Sequence, residues 1–275
     1  MYHSFNLNYR RFYIADFVRR IFPTVSSACV LEEEGTSIMK LASIVVLIFK
    51  DEDGFGSAVA SSLRSNPSSP SQRREELLEL PLQRYGISNS KAAGELIHFI
   101  ASNGEYKVSL MLLEILDPPL LACALNEVVT LIKTAAQSEN STLIVPVFHL
   151  SMGSILGEKE VSTTRTKCTL YGHQIGPETD ITRAIGSTTK KPPLKFQICY
   201  EPAACLLQLV RLQRIPTSFL IGEKMKSDVD TKIMGDMISF LADITGLHFS
   251  KDNLTWNSRK TTRKNNAEPW RALYG

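Results

Sequence analysis

The residues best equipped for chemistry stand at the end of the chain. Leu273-Tyr274-Gly275 places an apolar side chain, a phenol and a terminal carboxylate side by side. Such a triplet can act as a plug: leucine and ring enter a cleft, the hydroxyl hydrogen-bonds, and the carboxylate pairs with a buried lysine. That is recognition chemistry, with no bond made or broken. Asp51-Glu-Asp-Gly-Phe-Gly56 invites a second reading as a phosphate loop. It lacks both the Gly-x-x-x-x-Gly-Lys-Ser/Thr pattern and the three-glycine dinucleotide fingerprint, and its carboxylates would repel phosphate. An acidic turn, or a charge cluster at a helix N-terminus, is expected instead. Ser151-Met-Gly-Ser154 does not make the Gly-x-Ser-x-Gly nucleophile elbow. His149 stands at a strand end, where α/β enzymes often keep catalytic residues, although a lone His beside an apolar strand usually serves structure. Cys199 and Cys205 become nucleophile candidates only if a His or Lys meets them in space. Asp228, Asp230, Asp236 and Asp243 are scattered around one helix, with Asp228 or a neighbour at its cap. No catalytic residue, metal ligand or cofactor is expected from this set.

Composition narrows the classes. The net charge of +3 over 275 residues is too balanced to argue for nucleic acid by itself. The excess is local: Arg259, Lys260, Arg263, Lys264 and Arg271 crowd the last stretch, interleaved with Trp256 and Trp270. This arm can steer the terminal plug toward an acidic rim, and it makes only a weak groove for single-stranded nucleic acid. The five cysteines have no Cys-x-x-Cys spacing and do not cluster with the five histidines, which points to a reducing compartment. Cys123, Cys199 and Cys205 lie in apolar surroundings and read as small core residues. No apolar run reaches the roughly 18 residues that cross a bilayer. Residues 1–38 form an arginine- and aromatic-bearing leader: an organelle-targeting segment, a disordered leader, or sequence upstream of a start at Met39.

The elements that must position these residues follow from pattern. Ser43–Phe49 is a β-branched run of buried-strand length, and Ser57–Leu63 a short helix. Asn66–Arg74, rich in Ser and Pro, reads as a surface loop or linker. Asn89–Ile100 shows helical spacing through Ala92, Ala93, Leu96, Ile97 and Ile100, and Asn103-Gly104 makes a turn. Tyr106–Leu116 and Thr142–His149 are strands flanking a helix at Leu120–Ala136, which Asp117-Pro118-Pro119 can start. Residues 151–193 turn polar without a sustained period, as a functional or mobile excursion would. Lys195–Tyr200 is a strand, Pro202–Leu212 a helix, Pro216–Ile221 a strand, and Asp228–Leu241 a last helix stopping near Gly246. This alternation predicts a three-layer α/β/α sandwich with a largely parallel or mixed central sheet. Residues 39–249 would form one domain with the 151–193 insertion, and 250–275 a flexible basic tail.

One stretch ties these elements to a known family. Tyr200-Glu-Pro-Ala-Ala-Cys-Leu-Leu-Gln-Leu-Val-Arg-Leu-Gln-Arg-Ile-Pro-Thr-Ser-Phe-Leu-Ile221 resembles the C-terminal part of the eukaryotic proteasome assembly chaperone 1 family. There a Pro-Ala-Ala-led apolar helix precedes Ile-Pro and a buried strand. The helix ending near Ile100, the strand at Tyr106–Leu116, the helix at Leu120–Ala136, the strand at Thr142–His149 and the polar insertion are similar in order too, and the family ends in a hydrophobic-Tyr-any tail onto which Leu273, Tyr274 and Gly275 map. The resemblance covers about Leu41 to Gly275. It implies a non-catalytic, cytoplasmic and nuclear chaperone that pairs with proteasome assembly chaperone 2. It further implies docking of the tail between α-subunits of the 20S proteasome, with neither nucleic acid nor membrane as a partner. The rival is an α/β enzyme of the phosphorylase or hydrolase kind, with a pocket near His149 or Asp51 to Asp53, whereas the chaperone reading expects an apolar face exposed in the isolated monomer. A third reading is a scaffold or nucleic-acid module acting through the basic tail.

Overall fold

The computed structural model describes residues 39–51, 54–87, 91–135, 141–150, 170–193, 198, 200–224 and 229–253. Its first strand, β1 (Ile44–Lys50), meets water on neither face. Val45, Leu47 and Phe49 enter one apolar cluster, Val46 and Ile48 another. A strand covered on both sides has no need of polar alternation, which is why this run is continuous. Next come α1 (Phe55–Ser62), β2 (Leu63–Arg64), β3 (Ser71–Pro81), β4 (Lys91–Ala101), β5 (Tyr106–Glu114) and α2 (Pro118–Ala135). The remainder is β6 (Thr142–Leu150), β7 (Leu170–Ile175), α3 (Asp180–Thr188), α4 (Glu201–Gln213), β8 (Thr217–Lys224), α5 (Val229–Thr245) and β9 (His248–Phe249).

Seven strands make one sheet in the order β3-β4-β5-β1-β6-β8-β7. The inner four run parallel, while β3, β4 and β7 are added antiparallel at the flanks. β2 and β9 pair separately, Leu63 opposite Phe249. α2 and α4 pack on the face of Val45 and Leu47; α1, α3 and α5 pack on the face of Val46 and Ile48. The chain therefore forms the expected three-layer α/β/α sandwich, with a mixed sheet.

Three stretches differ from expectation. Asn89–Ile100 is not a helix: Lys91–Ala101 is strand β4. Leu96 packs on one face while Ile97 and Phe99 pack on the other, so consecutive apolar residues mimic helical spacing. Gly94 suits the strand, since a Cβ there would lie 2.4 Å from the Leu112 carbonyl oxygen on β5. Asn66–Arg74 is a loop only as far as Pro70; from Ser71 it belongs to the edge strand β3. Charge hid that strand, and charge is what an exposed edge carries to avoid pairing with other chains: Arg73, Arg74, Glu75, Glu76 and Glu79 all lie on it. Within 151–193, residues 151–169 lie outside the described residues, but Leu170–Ile175 is the opposite edge strand and Asp180–Thr188 is helix α3. A reciprocal cap opens α3: the Thr182 N–H donates to Thr179 Oγ1 at 3.2 Å and the Thr179 N–H to Thr182 Oγ1 at 2.9 Å. Most of the expected strand Lys195–Tyr200 falls outside the described residues, and Ile198 and Tyr200 stand in no strand.

Candidate functional site

In an open α/β sheet, ligands gather where parallel strands part at their carboxyl ends. Here the parting lies between β1 and β6. The two strands pair only from Ile44 to Val46 and from Thr142 to Ile144, although β1 runs on to Lys50 and β6 to Leu150. Pro146 stands just beyond the last pair and has no N–H to give to a ladder. Aromatic rings lie on both faces of the parting. Phe55 meets Phe148 edge-on with centroids 4.5 Å apart, and Phe49 meets Tyr200 at 5.7 Å. Phe148 is accommodated because its register partner on β8 is Gly222, where a Cβ would lie 2.9 Å from the ring.

The acidic turn beside this point serves the helix. The Asp51 carboxylate accepts the first N–H of α1, from Phe55, at 2.7 Å. That carboxylate takes one of the helix N-terminal donors a phosphate would use and adds a negative charge beside it. Gly54 turns the chain with φ 77, and Gly56 lets α1 press on β1, since a Cβ there would lie 2.6 Å from the Phe49 carbonyl oxygen. Lys50 Nζ pairs with Glu95 at 2.6 Å. The Tyr200 phenol is raised above its ordinary value, first by burial and then by the charge of Asp51. Glu52 and Asp53 lie outside the described residues.

Among the described residues, the remaining sequence candidates are not brought together. Cys123 and Cys205 are buried, and burial pushes both thiols up, Cys205 to about 11, which keeps them protonated at neutral pH. Asp236 and Asp243 are exposed positions on α5. The backbones of His149 and Asp230 lie in β6 and α5. Ser151 to Ser154, Cys199, Asp228 and the tail residues Leu273, Tyr274 and Gly275 lie outside the described residues. Among the described residues, no three His, Cys, Asp or Glu side chains are grouped to hold a metal, and no helix is long and apolar enough to cross a membrane.

Two buried polar groups went unread in the sequence. Tyr85 Oη accepts from Asn126 Nδ2 at 2.7 Å and from an Arg84 guanidinium nitrogen at 2.8 Å, while Arg84 also pairs with Glu127. Gln213 of α4 donates to Asn126 Oδ1 at 3.4 Å, joining α2 to α4. Burial, then Glu127, pushes the Tyr85 phenol up to about 12, and burial raises the Glu127 carboxyl as well. The signal for this group was Asn126-Glu127 interrupting the apolar run of α2. The second group is His98, buried between β3 and β5, with Nδ1 2.9 Å from Ser109 Oγ and its ring edge-on to Tyr106. Ser109 Oγ also accepts the Ala42 N–H at 2.9 Å, anchoring the segment that leads into β1. Both groups are bonded into the framework.

The profile of a family described as a domain of unknown function, DUF7894, matches residues 39–275. The chain belongs to the DUF7894 family. No curated protein matches its sequence. Among solved structures, this DUF7894 chain is similar to Pyrococcus furiosus PbaA, an archaeal homolog of proteasome-assembly chaperone. That likeness has a TM-score of 0.47 and 14% identity, covering 78% of this chain and 87% of that one. It is similar also to Pyrococcus furiosus PbaB, an archaeal proteasome activator, at TM-score 0.49 and 12% identity, over 78% and 89% of the two chains. A Mycobacterium tuberculosis proteasome-assembly chaperone homologue is similar at TM-score 0.47 and 12% identity, over 77% and 89%. The DUF7894 match begins ahead of β1 and extends over the segment that carries Leu273, Tyr274 and Gly275.

Proposed function

We propose that this DUF7894 protein is a non-catalytic chaperone of 20S proteasome assembly, working in the cytoplasm and nucleus. It pairs with proteasome assembly chaperone 2, and the dimer sits on the outer face of the α-ring. Leu273 fills the apolar part of a pocket between α-subunits, Tyr274 packs and hydrogen-bonds, and the Gly275 carboxylate pairs with a pocket lysine. One observation carries the reading: a single chain joins the Pro202-Ala-Ala helix running to Ile215-Pro216 with a hydrophobic-Tyr-any terminus. Each part of that motif has a physical task. Pro202 stands in the first turn of α4, Ala203 is 0% exposed where the helix meets the sheet, and Ile215-Pro216 leads directly into β8.

A three-residue plug cannot hold a complex alone, because ordering a chain terminus on binding costs entropy. Tethered to a dimer already seated on the ring, it acts at high effective concentration. The test is a pull-down from cell extract with the intact chain and with a chain lacking Leu273 to Gly275, bound proteins being identified by mass spectrometry. The intact chain should recover 20S α-subunits together with assembly chaperone 2, and the shortened chain should recover fewer α-subunits. Absence of proteasome subunits from both samples would overturn the reading.

A further inference from the structure

The turn that leads into β3 carries a feature that proteasome docking leaves unused. Of the 13 prolines, only Pro70 follows a serine or threonine. That serine, Ser69, is exposed, and its Oγ accepts a hydrogen bond from Lys107 Nζ of β5 at 3.0 Å. Its neighbours are otherwise engaged. The Ser71 N–H donates to Ser65 Oγ at 2.6 Å and the Ser71 hydroxyl to the same oxygen at 3.1 Å. We propose that Ser69 is a phosphorylation site for a proline-directed serine/threonine kinase, and that Lys107 receives the phosphate.

Proline at the following position matters in two ways. It holds Ser69 in extended backbone and it offers no N–H of its own, so a kinase groove that supplies no acceptor there selects it. Ser69 is already extended, bridged to Asn66. The turn is held by exposed bonds, from the Ser69 N–H to the Asn66 carbonyl at 3.1 Å and from the Ser68 N–H to Asn66 Oδ1 at 3.0 Å. Bonds of this kind open at low cost, which a kinase requires. In the reaction, Ser69 Oγ attacks the γ-phosphorus of a nucleoside triphosphate. The new Oγ–P bond forms as the bond to the β-phosphate oxygen breaks. The nucleoside diphosphate leaves, and the hydroxyl proton passes to the kinase's base. The product places about −1.5 to −2 charges at neutral pH beside an ammonium already within reach. Among the described residues, no carboxylate pairs with Lys107. The pair ties the head of β3 to β5, across β4 which lies between them.

The experiment uses the full-length folded chain with a proline-directed kinase and a magnesium nucleoside triphosphate. Mass spectrometry reads stoichiometry and position, and a phosphorus-31 NMR titration reads the second ionisation of the phosphate. One phosphate per chain is expected at Ser69. It should be lost in Ser69→Ala, and largely lost in Pro70→Ala, which leaves the acceptor hydroxyl in place. The titration midpoint should lie about 0.2–0.5 pH unit lower in the parent chain than in Lys107→Ala, the size of an exposed ion pair. No incorporation, or incorporation that survives Ser69→Ala undiminished, overturns the site. A midpoint unmoved by Lys107→Ala overturns the role given to that lysine.

Discussion

His98 shows how one buried side chain sets a response to pH. Burial lowers its pKa from the ordinary 6.5, with Glu76 opposing and Arg74, directly across on β3, reinforcing the shift. In the folded state the ring is therefore neutral where the unfolded chain's histidine would take a proton. Stability contributed by His98 is full above about pH 6.5 and is lost as pH falls below it toward the lowered folded value. Urea unfolding followed between pH 7.5 and 5.5 should show a falling free energy, with a shallower fall in His98→Gln; equal slopes would contradict this. Tyr85 gives a second test. Tyr85→Phe removes the acceptor for Asn126 Nδ2 and for Arg84 in a half-buried setting, and should cost about 1–2 kcal/mol by denaturant unfolding.

At the scale of elements, steric fit decides where pattern is ambiguous. Gly94→Ala would drive a Cβ into the Leu112 carbonyl, so strand β4 should lose about 1–3 kcal/mol, measured as a lowered denaturation midpoint. In a helix the same change would have stabilised, which makes this substitution a direct discriminator of the two assignments. The sequence made α2, α4 and α5 legible because long helices display their period over several turns. It made β1, β5, β6 and β8 legible because inner strands are continuous apolar runs. β4 was misread because packing on both faces erases the period of two. β3 was missed because an edge strand wears charge, and β7 and α3 because weakly apolar elements resemble a loop: Tyr171, Gly172, His173 and Gln174 span most of β7. The site was legible in reverse. Asp51 to Gly56 carried two readings in the sequence, an acidic turn or a charge cluster at a helix start, but the pairing of Phe55 with Phe148 and of Phe49 with Tyr200 depends on contacts between distant segments that no local pattern carries.

For the whole molecule, the sandwich is the platform and the proposed working part is its final triplet. The exposed apolar face expected of a chaperone is not offered by any single described element: large exposed hydrophobics among the described residues are Leu77, Ile115 and Leu212, which stand on β3, after β5 and on α4. Recognition by a terminal carboxylate has a sharp signature: blocking the carboxylate should weaken binding even when every side chain is kept. The most direct measurement titrates isolated α-rings with the purified dimer of this chain and proteasome assembly chaperone 2. The dimer is prepared intact, and again with one glycine added after Gly275. Loss of a desolvated charge pair and of plug depth predicts that the extended form binds at least about tenfold more weakly, or about 1.4 kcal/mol. Equal affinity of the two forms would contradict the docking mechanism.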